Sequence, residues 1–233
     1  YRRRQRQMCI RARYAAAVQE DARLFLSPTQ EELATIYFAL GDPQRLRNYN
    51  GGMDLLPAGT PGLETLYLLR SDDDTSAEAL LNYFPEAISE AAGDGFVPYR
   101  VTAGTPRLHN QIDADAPFGE MIRLIGWSSD LQDEELLVTL AWQVESEMEK
   151  DYTAYVHLIG EDGQPAAQID QSPAGYPTSD WVPGEIIVAR YAIPWPADLA
   201  IEEAGLSTGF YFLPSLEPVG ETAVLAEPGE LSP

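Results

Sequence analysis

Residues 152–191 read YTAYVHLIGEDGQPAAQIDQSPAGYPTSDWVPGEIIVARY. The first eight positions alternate, with Tyr152, Ala154, Val156 and Leu158 on one face and Thr153, Tyr155 and His157 on the other. That period of two belongs to a strand with one buried side. Glu161-Asp162-Gly163-Gln164 is a turn that sends the chain back along 166–170 as a hairpin. A loop rich in Pro and Gly then carries Tyr176 and Trp181, and the apolar run 184–193 makes a third strand. A hairpin and one strand cannot hide their apolar faces alone, so the flanking segments must supply a second layer.

Those segments have the required texture. Residues 121–127 (MIRLIGW) and 136–144 (LLVTLAWQV) read as strands, the second with Leu136, Val138, Leu140, Trp142 and Val144 alternating against Thr139 and Gln143. A further strand is expected over 208–213, and the Pro-, Gly- and Glu-rich tail from Pro214 is expected to fray. Several short strands with turn signals between them predict an antiparallel β-sandwich of jelly-roll or immunoglobulin-like kind over residues 104–233.

Residues 1–103 differ. A basic head of seven Arg within 1–23 runs into Ala-rich sequence and a short strand over 22–26. Ser27-Pro28 followed by acidic residues signals a helix through Leu33, Ile36, Tyr37 and Leu40, ending at Gly41-Asp42-Pro43. Short strands are expected over 45–49 and 65–69. A second helix is expected from Asp74-Thr75-Ser76, with Leu80, Leu81, Phe84 and Ile88 on its inner side and Pro85 near its end. The run 96–101 (FVPYRV) closes the unit, and Pro98 marks it as an edge strand. Strands alternating with helices predict a small three-layer α/β domain.

Bulk properties narrow the function. The 233 residues carry a net charge of −22, which disfavours a nucleic-acid partner because phosphate contacts need Lys and Arg. The single cysteine, Cys9, allows neither an internal disulfide nor a cysteine-based metal site. No apolar run reaches the length of a membrane span, and the opening without Met is expected to reflect a piece of a longer chain. The basic head has two readings, a segment drawn to anionic lipid or a solvated helix start.

No catalytic motif stands out. With two histidines, His109 and His157, a His-rich zinc site is excluded unless carboxylates complete it, and no G-x-S-x-G elbow exists. Asp72-Asp73-Asp74, after a strand, suits either of two roles. Asp72 and Asp74 could hold Mg²⁺ or Mn²⁺ as in a nucleotide-sugar transferase, or the run could cap the next helix, with Thr75 and Glu78 in a capping box. Tyr176, Trp181 and Trp195 could stack on sugar rings, with Asp180, His157 and Gln168 as hydrogen-bonding partners; the alternatives are that Trp181 plugs the core where its loop folds back and that His157 is a structural hydrogen-bonding residue of its strand. No cofactor is expected.

The segment YTAYVHLIGEDGQPAAQIDQSP…YPTSDWVPGEIIVARYAIPWPAD resembles the C-terminal region of large multi-pass bacterial membrane proteins similar to the dolichyl-phosphate-mannose protein mannosyltransferase and aminoarabinose transferase families. The matching positions are Tyr152, Val156, His157, Leu158, Gln168, Asp170, Pro173, Tyr176, Pro177, Thr178, Trp181, Pro183, Gly184 and Glu185. Upstream, TLYLL…LLNYFPEA is similar to the α/β segment after the membrane part of such transferases. The resemblance implies a soluble, extracytoplasmic accessory region attached to a membrane-embedded parent, whose partner is a glycan or lipid-linked sugar. The Arg-rich head would instead favour the cytoplasmic side. The alternatives are a self-standing carbohydrate-binding or protein-interaction module, and a metal-dependent transferase using Asp72 and Asp74.

Overall fold

Apolar runs buried on both faces, Leu24 to Leu26 and Leu66 to Leu69, form the centre of the first sheet. The computed structural model describes residues 22–27, 46–53, 55–90, 95–102, 105–173 and 176–231. The chain divides into two compact units, residues 1–107 and 108–233. Strand accounts for 52% of the described residues against 10% helix, so the protein is predominantly β. The basic head and the helix expected after Ser27 lie outside the described residues.

Unit 1 contains β1 (Arg23–Ser27), β2 (Leu46–Asn48), β3 (Leu55–Gly59), β4 (Glu64–Arg70), β5 (Ile88–Ser89) and β6 (Phe96–Thr102), with one described α-helix, α1 (Asp74–Tyr83). The sheet order is β2-β1-β4-β6-β5. β1 runs parallel to β2 and β4, whereas β4 and β6 are antiparallel. Phe25 stacks on Tyr67 at 5.5 Å, and Tyr49 meets both rings edge-on at 6.2 Å. β6 is not an edge strand, because β5 pairs with its far side at Arg100 and Tyr99. Pro98 is tolerated there because β5 is only two residues long.

Helix α1 is capped by Asp73, whose Oδ1 accepts from the Ser76 backbone N–H at 3.1 Å, rather than by Thr75. Leu80 and Phe84, four apart, are both fully buried. Leu81 and Ile88 are 39% and 61% exposed, correcting the expected inner face. Leu81 lies about 100° round the helix from Leu80, and Ile88 falls beyond its end, where the helical period no longer applies.

Unit 2 contains β7 (Ile112–Phe118), β8 (Ile122–Gln132), β9 (Glu135–Val144), β10 (Thr153–Ile159), β11 (Pro165–Gln171), β12 (Ile186–Pro194), β13 (Gly205–Phe212), β14 (Glu217–Pro218) and β15 (Ala223–Ala226). One sheet carries the run β12-β9-β8-β7; the other is β11-β10-β13-β14, with β15 also on β13. All these pairings are antiparallel. The alternation of β9 and β10 emerges as read, with Leu136, Val138, Leu140, Trp142, Val144, Ala154, Val156 and Leu158 buried. Trp142 of one sheet meets Phe210 of the other at 4.8 Å, and Phe118 lies against both, at 5.5 and 5.6 Å. The sheets therefore share one aromatic core, and edge-to-face ring pairs of this kind add about 0.5–1.5 kcal/mol each beyond burial.

The tail is ordered rather than frayed. β14 and β15 both pair with β13, and Val219, Ala226 and Leu231 are buried. Gly220, at φ +73°, packs so tightly that a Cβ there would sit 2.8 Å from the Gly119 nitrogen. Composition suggested disorder, but burial against β13 overrides it. β7 also went unread, because its IDADAPF sequence shows acidic rather than apolar alternation. Its mostly exposed acids suit the end of the sheet run, where charge discourages further pairing.

Candidate functional site

The loop between β11 and β12 holds the aromatic candidates, and it turns them inward. Pro177 enters a short 3₁₀ turn, Thr178–Asp180, whose Thr178 hydroxyl donates to the Lys150 carbonyl at 3.0 Å and accepts from the Tyr152 N–H at 2.8 Å. Tyr176 is fully buried, its hydroxyl 2.7 Å from Glu185 Oε2 and 3.1 Å from the Asp180 carbonyl. Glu185, also fully buried, accepts from the Val182 N–H at 3.1 Å. Trp181 is 3% exposed; its indole N–H donates to the Tyr176 carbonyl at 3.0 Å, and its ring meets Phe210 edge-on at 6.3 Å. Neither Tyr176 nor Trp181 offers a ring face to an outside sugar. Of the proposed sugar contacts in this loop, Asp180 alone is exposed. A buried carboxylate collecting loop hydrogen bonds in this way holds a loop shut over a core.

The Asp72-Asp73-Asp74 run is likewise engaged in structure. Asp72 forms a two-pronged contact with Arg70, at 2.8 and 2.7 Å, Asp73 caps α1, and Asp74 lies in its first turn. No group of three or more potential metal ligands occurs among the described residues. Ser27 Oγ lies 2.8 Å from Ser76 Oγ and accepts from the Gly51 N–H at 3.0 Å. This knot ties the end of β1 to the start of α1 inside the unit. Burial pushes the Tyr49 hydroxyl far above the usual tyrosine range, and the nearby Asp73 carboxylate adds to it.

The other candidates, His157 and Gln168, come together on the outward face of β11-β10-β13. Cross-strand register pairs His157 with Gln168 and Tyr155 with Asp170 on one side, and His157 with Ser207 and Tyr155 with Gly209 on the other. Directly paired residues share a face, so this side of the sheet gathers Tyr155, His157, Gln168, Asp170 and Tyr211. Tyr155 and His157 stack at 4.4 Å with a 31° tilt, and Tyr211 lies 6.2 Å from Tyr155, making a row of three rings with Tyr155 in the middle. Gly209 provides the room: a Cβ there would lie 2.6 Å from Tyr155 Cζ. The Tyr155 hydroxyl pairs with Thr222 Oγ1 at 2.7 Å, which fixes the row.

Gln168 and Asp170 are exposed beside the rings, and the Gln168 amide reaches Asp170 Oδ2 at 3.3 Å. Burial lowers the His157 pKa, with the Asp170 carboxylate opposing the shift, so the imidazole is neutral at pH 7. Tyr211 is raised, first by burial and then by Asp170, and stays a hydroxyl donor. Among the described residues, neither His157 nor Tyr211 spends its polar atoms on a protein hydrogen bond. The face can thus offer an imidazole, a phenol, an amide and a carboxylate to a hydroxyl-rich molecule. His109 stands apart, exposed in the turn before β7.

Reading the sequence alone picked out His157 and Gln168 but missed Tyr155, Asp170 and Tyr211 as members of the same site. Tyr155 was accessible through its i, i+2 spacing from His157. Tyr211 was not, since only the β10–β13 register brings it near.

No family model matches the chain, and no curated protein matches it. Among solved structures, the chain is similar to a domain of an outer membrane lipoprotein from Porphyromonas gingivalis, with 14% identity and a TM-score of 0.31 over 49% of this chain and 93% of that one. An endonuclease/exonuclease/phosphatase from Beutenbergia cavernae follows at 13% identity and a TM-score of 0.27, over 60% of this chain and 36% of that one. The β-glucuronidase of Parabacteroides merdae matches at 13% identity and a TM-score of 0.29, over 74% of this chain and 25% of that one. Likeness at this level bears on neither ligand nor reaction.

Proposed function

We propose that this chain is a non-catalytic, extracytoplasmic accessory region of a membrane-bound glycosyltransferase-like protein, and that it assists the parent by holding a glycan or acceptor. Unit 1 is read as a small three-layer α/β domain, which the parallel run β2-β1-β4 supports. Unit 2 is read as an immunoglobulin-like sandwich rather than a jelly roll. The adjacency of β8-β9-β12 in one sheet and β11-β10-β13-β14 in the other, with the chain crossing between them after β9, β11 and β12, supports that choice.

The observation that carries the glycan reading is the row His157–Tyr155–Tyr211 with exposed Gln168 and Asp170 beside it. Aromatic rings flanked by an amide and a carboxylate are the chemistry that hydroxyl-bearing rings require. The accessory reading rests on the Tyr176–Trp181–Glu185 lock, since these three positions of the transferase-like segment hold a loop rather than face a substrate.

Two measurements test this. Antibodies to the chain should detect it in the membrane fraction, resistant to carbonate extraction, in a species well above 25.7 kDa. A soluble 25.7 kDa species would sink the membrane-bound parent. A thermal-shift screen of the full chain with neutral oligosaccharides should stabilise unit 2. A ligand at about a hundred times its Kd adds about 2.7 kcal/mol, which is several degrees for a chain of this size. Stabilisation by Mn²⁺ alone, abolished by Asp72→Ala, would support the transferase alternative instead.

A further inference from the structure

The charge around the ring row is one-sided. Unit 2 holds three basic residues, Arg123, Lys150 and Arg190, against 23 acidic ones, a net charge of −20. None of the three lies on β10, β11 or β13. Arg123, on β8, is bound by Asp115 and by Glu145, at 3.0 Å for the latter. Lys150 precedes β10 with its Nζ 4.7 Å over the Phe212 ring, and Arg190 stands on β12 of the other sheet. The three strands of this face therefore carry one carboxylate, Asp170, and no Lys or Arg to meet a negative group.

We infer that the outward face of β11-β10-β13 is a binding site for uncharged glycans, with Asp170 and Gln168 reading adjacent hydroxyls, and that it discriminates against uronic-acid and sulfated sugars. This rests on the glycan reading above and adds to it a site and a charge class. Asp170 supplies acceptors only, so it recognises donors; sugar hydroxyls donate and carboxylates or sulfates do not. His157 and Tyr211 then serve as neutral partners, accepting or donating as the sugar demands. A unit negative charge on the ligand about 5 Å from Asp170 costs roughly fourfold in affinity even at water's dielectric. The surrounding acidic surface adds a longer-range component that salt screens, with a Debye length of about 10 Å at 0.1 M.

The test uses the full chain, titrated calorimetrically with mannotetraose and chitotetraose as neutral probes and with tetragalacturonate and sulfated chitotetraose as anionic ones, at low and high salt. At least one neutral probe should bind, and its anionic counterpart should bind at least about fourfold more weakly at low salt, the gap narrowing as salt rises. Asp170→Asn, an exposed and isosteric change, should weaken the neutral probe by roughly tenfold, the worth of a hydrogen bond to a charged group, while Glu134→Gln in the distant hairpin leaves it unchanged. Gln168→Ala should also weaken it. Equal binding of neutral and anionic probes would overturn the charge selection while leaving the glycan reading intact. Binding that ignores both Asp170→Asn and Gln168→Ala would overturn the site. Binding of no probe would overturn the glycan reading itself.

Discussion

Trp181→Ala separates a core plug from a sugar contact. The indole is 3% exposed, meets Phe210 edge-on at 6.3 Å and donates to the Tyr176 carbonyl at 3.0 Å. Truncation to Ala removes the buried ring and leaves a cavity, which for an aromatic residue costs about 3–5 kcal/mol. It also frees the Tyr176 carbonyl inside the loop lock, so the effect should fall at the upper end of that range. Trp181→Phe keeps most of the ring and loses the N–H, an expected cost of about 1–3 kcal/mol. Urea unfolding followed by tryptophan fluorescence is the suitable assay. All four tryptophans (127, 142, 181 and 195) belong to unit 2, so the signal reports that unit alone, and three remain in the variant. The ordering wild type, Trp181→Phe, Trp181→Ala should appear in the midpoints with little change in slope. If Trp181→Ala shifts stability by less than about 1 kcal/mol and instead lowers oligosaccharide affinity, the plug argument is refuted.

Three further expectations follow from the same geometry. Asp73→Ala removes the α1 cap and should destabilise unit 1 by about 1 kcal/mol in chemical denaturation, with no dependence on Mg²⁺ or Mn²⁺; a metal-dependent loss would contradict the capping role. Gly220→Ala places a Cβ against the Gly119 nitrogen at positive φ and should cost about 1–3 kcal/mol from the backbone alone, read as a lower midpoint; an unchanged midpoint would mean the turn is free to move. His157 has a folded pKa below its unfolded value, so its contribution to stability is complete above about pH 6.5 and is lost as pH falls through the folded pKa. His157→Gln should flatten that acid limb of the stability profile, and an unaltered limb would assign it to other groups.

Much of unit 2 could be read from local pattern. The β10–β11 hairpin follows from period-two alternation plus a turn in which Gly163 takes φ +73° and the Gln164 N–H is held by Asp162 Oδ1 at 3.0 Å. These interactions join residues within a few positions of one another, so the sequence encodes them directly. β15 and β7 escaped because their strand character comes from pairing and burial rather than from their own composition.

The same distinction runs through the site. Alternation places Tyr155 and His157 on one face of a strand wherever that strand goes. Which face meets solvent, and which side chains stand beside it, depends on β13, some fifty residues later in the chain and brought alongside by the β10–β13 register. A shift of that register by one residue would set Phe210 beside the ring row and bury Tyr211. The direction of Trp181 is decided in the same way. Loop residues carry no periodicity to point them, and the indole faces inward because Phe210, the Tyr176 carbonyl and the gap between two sheets are there to receive it.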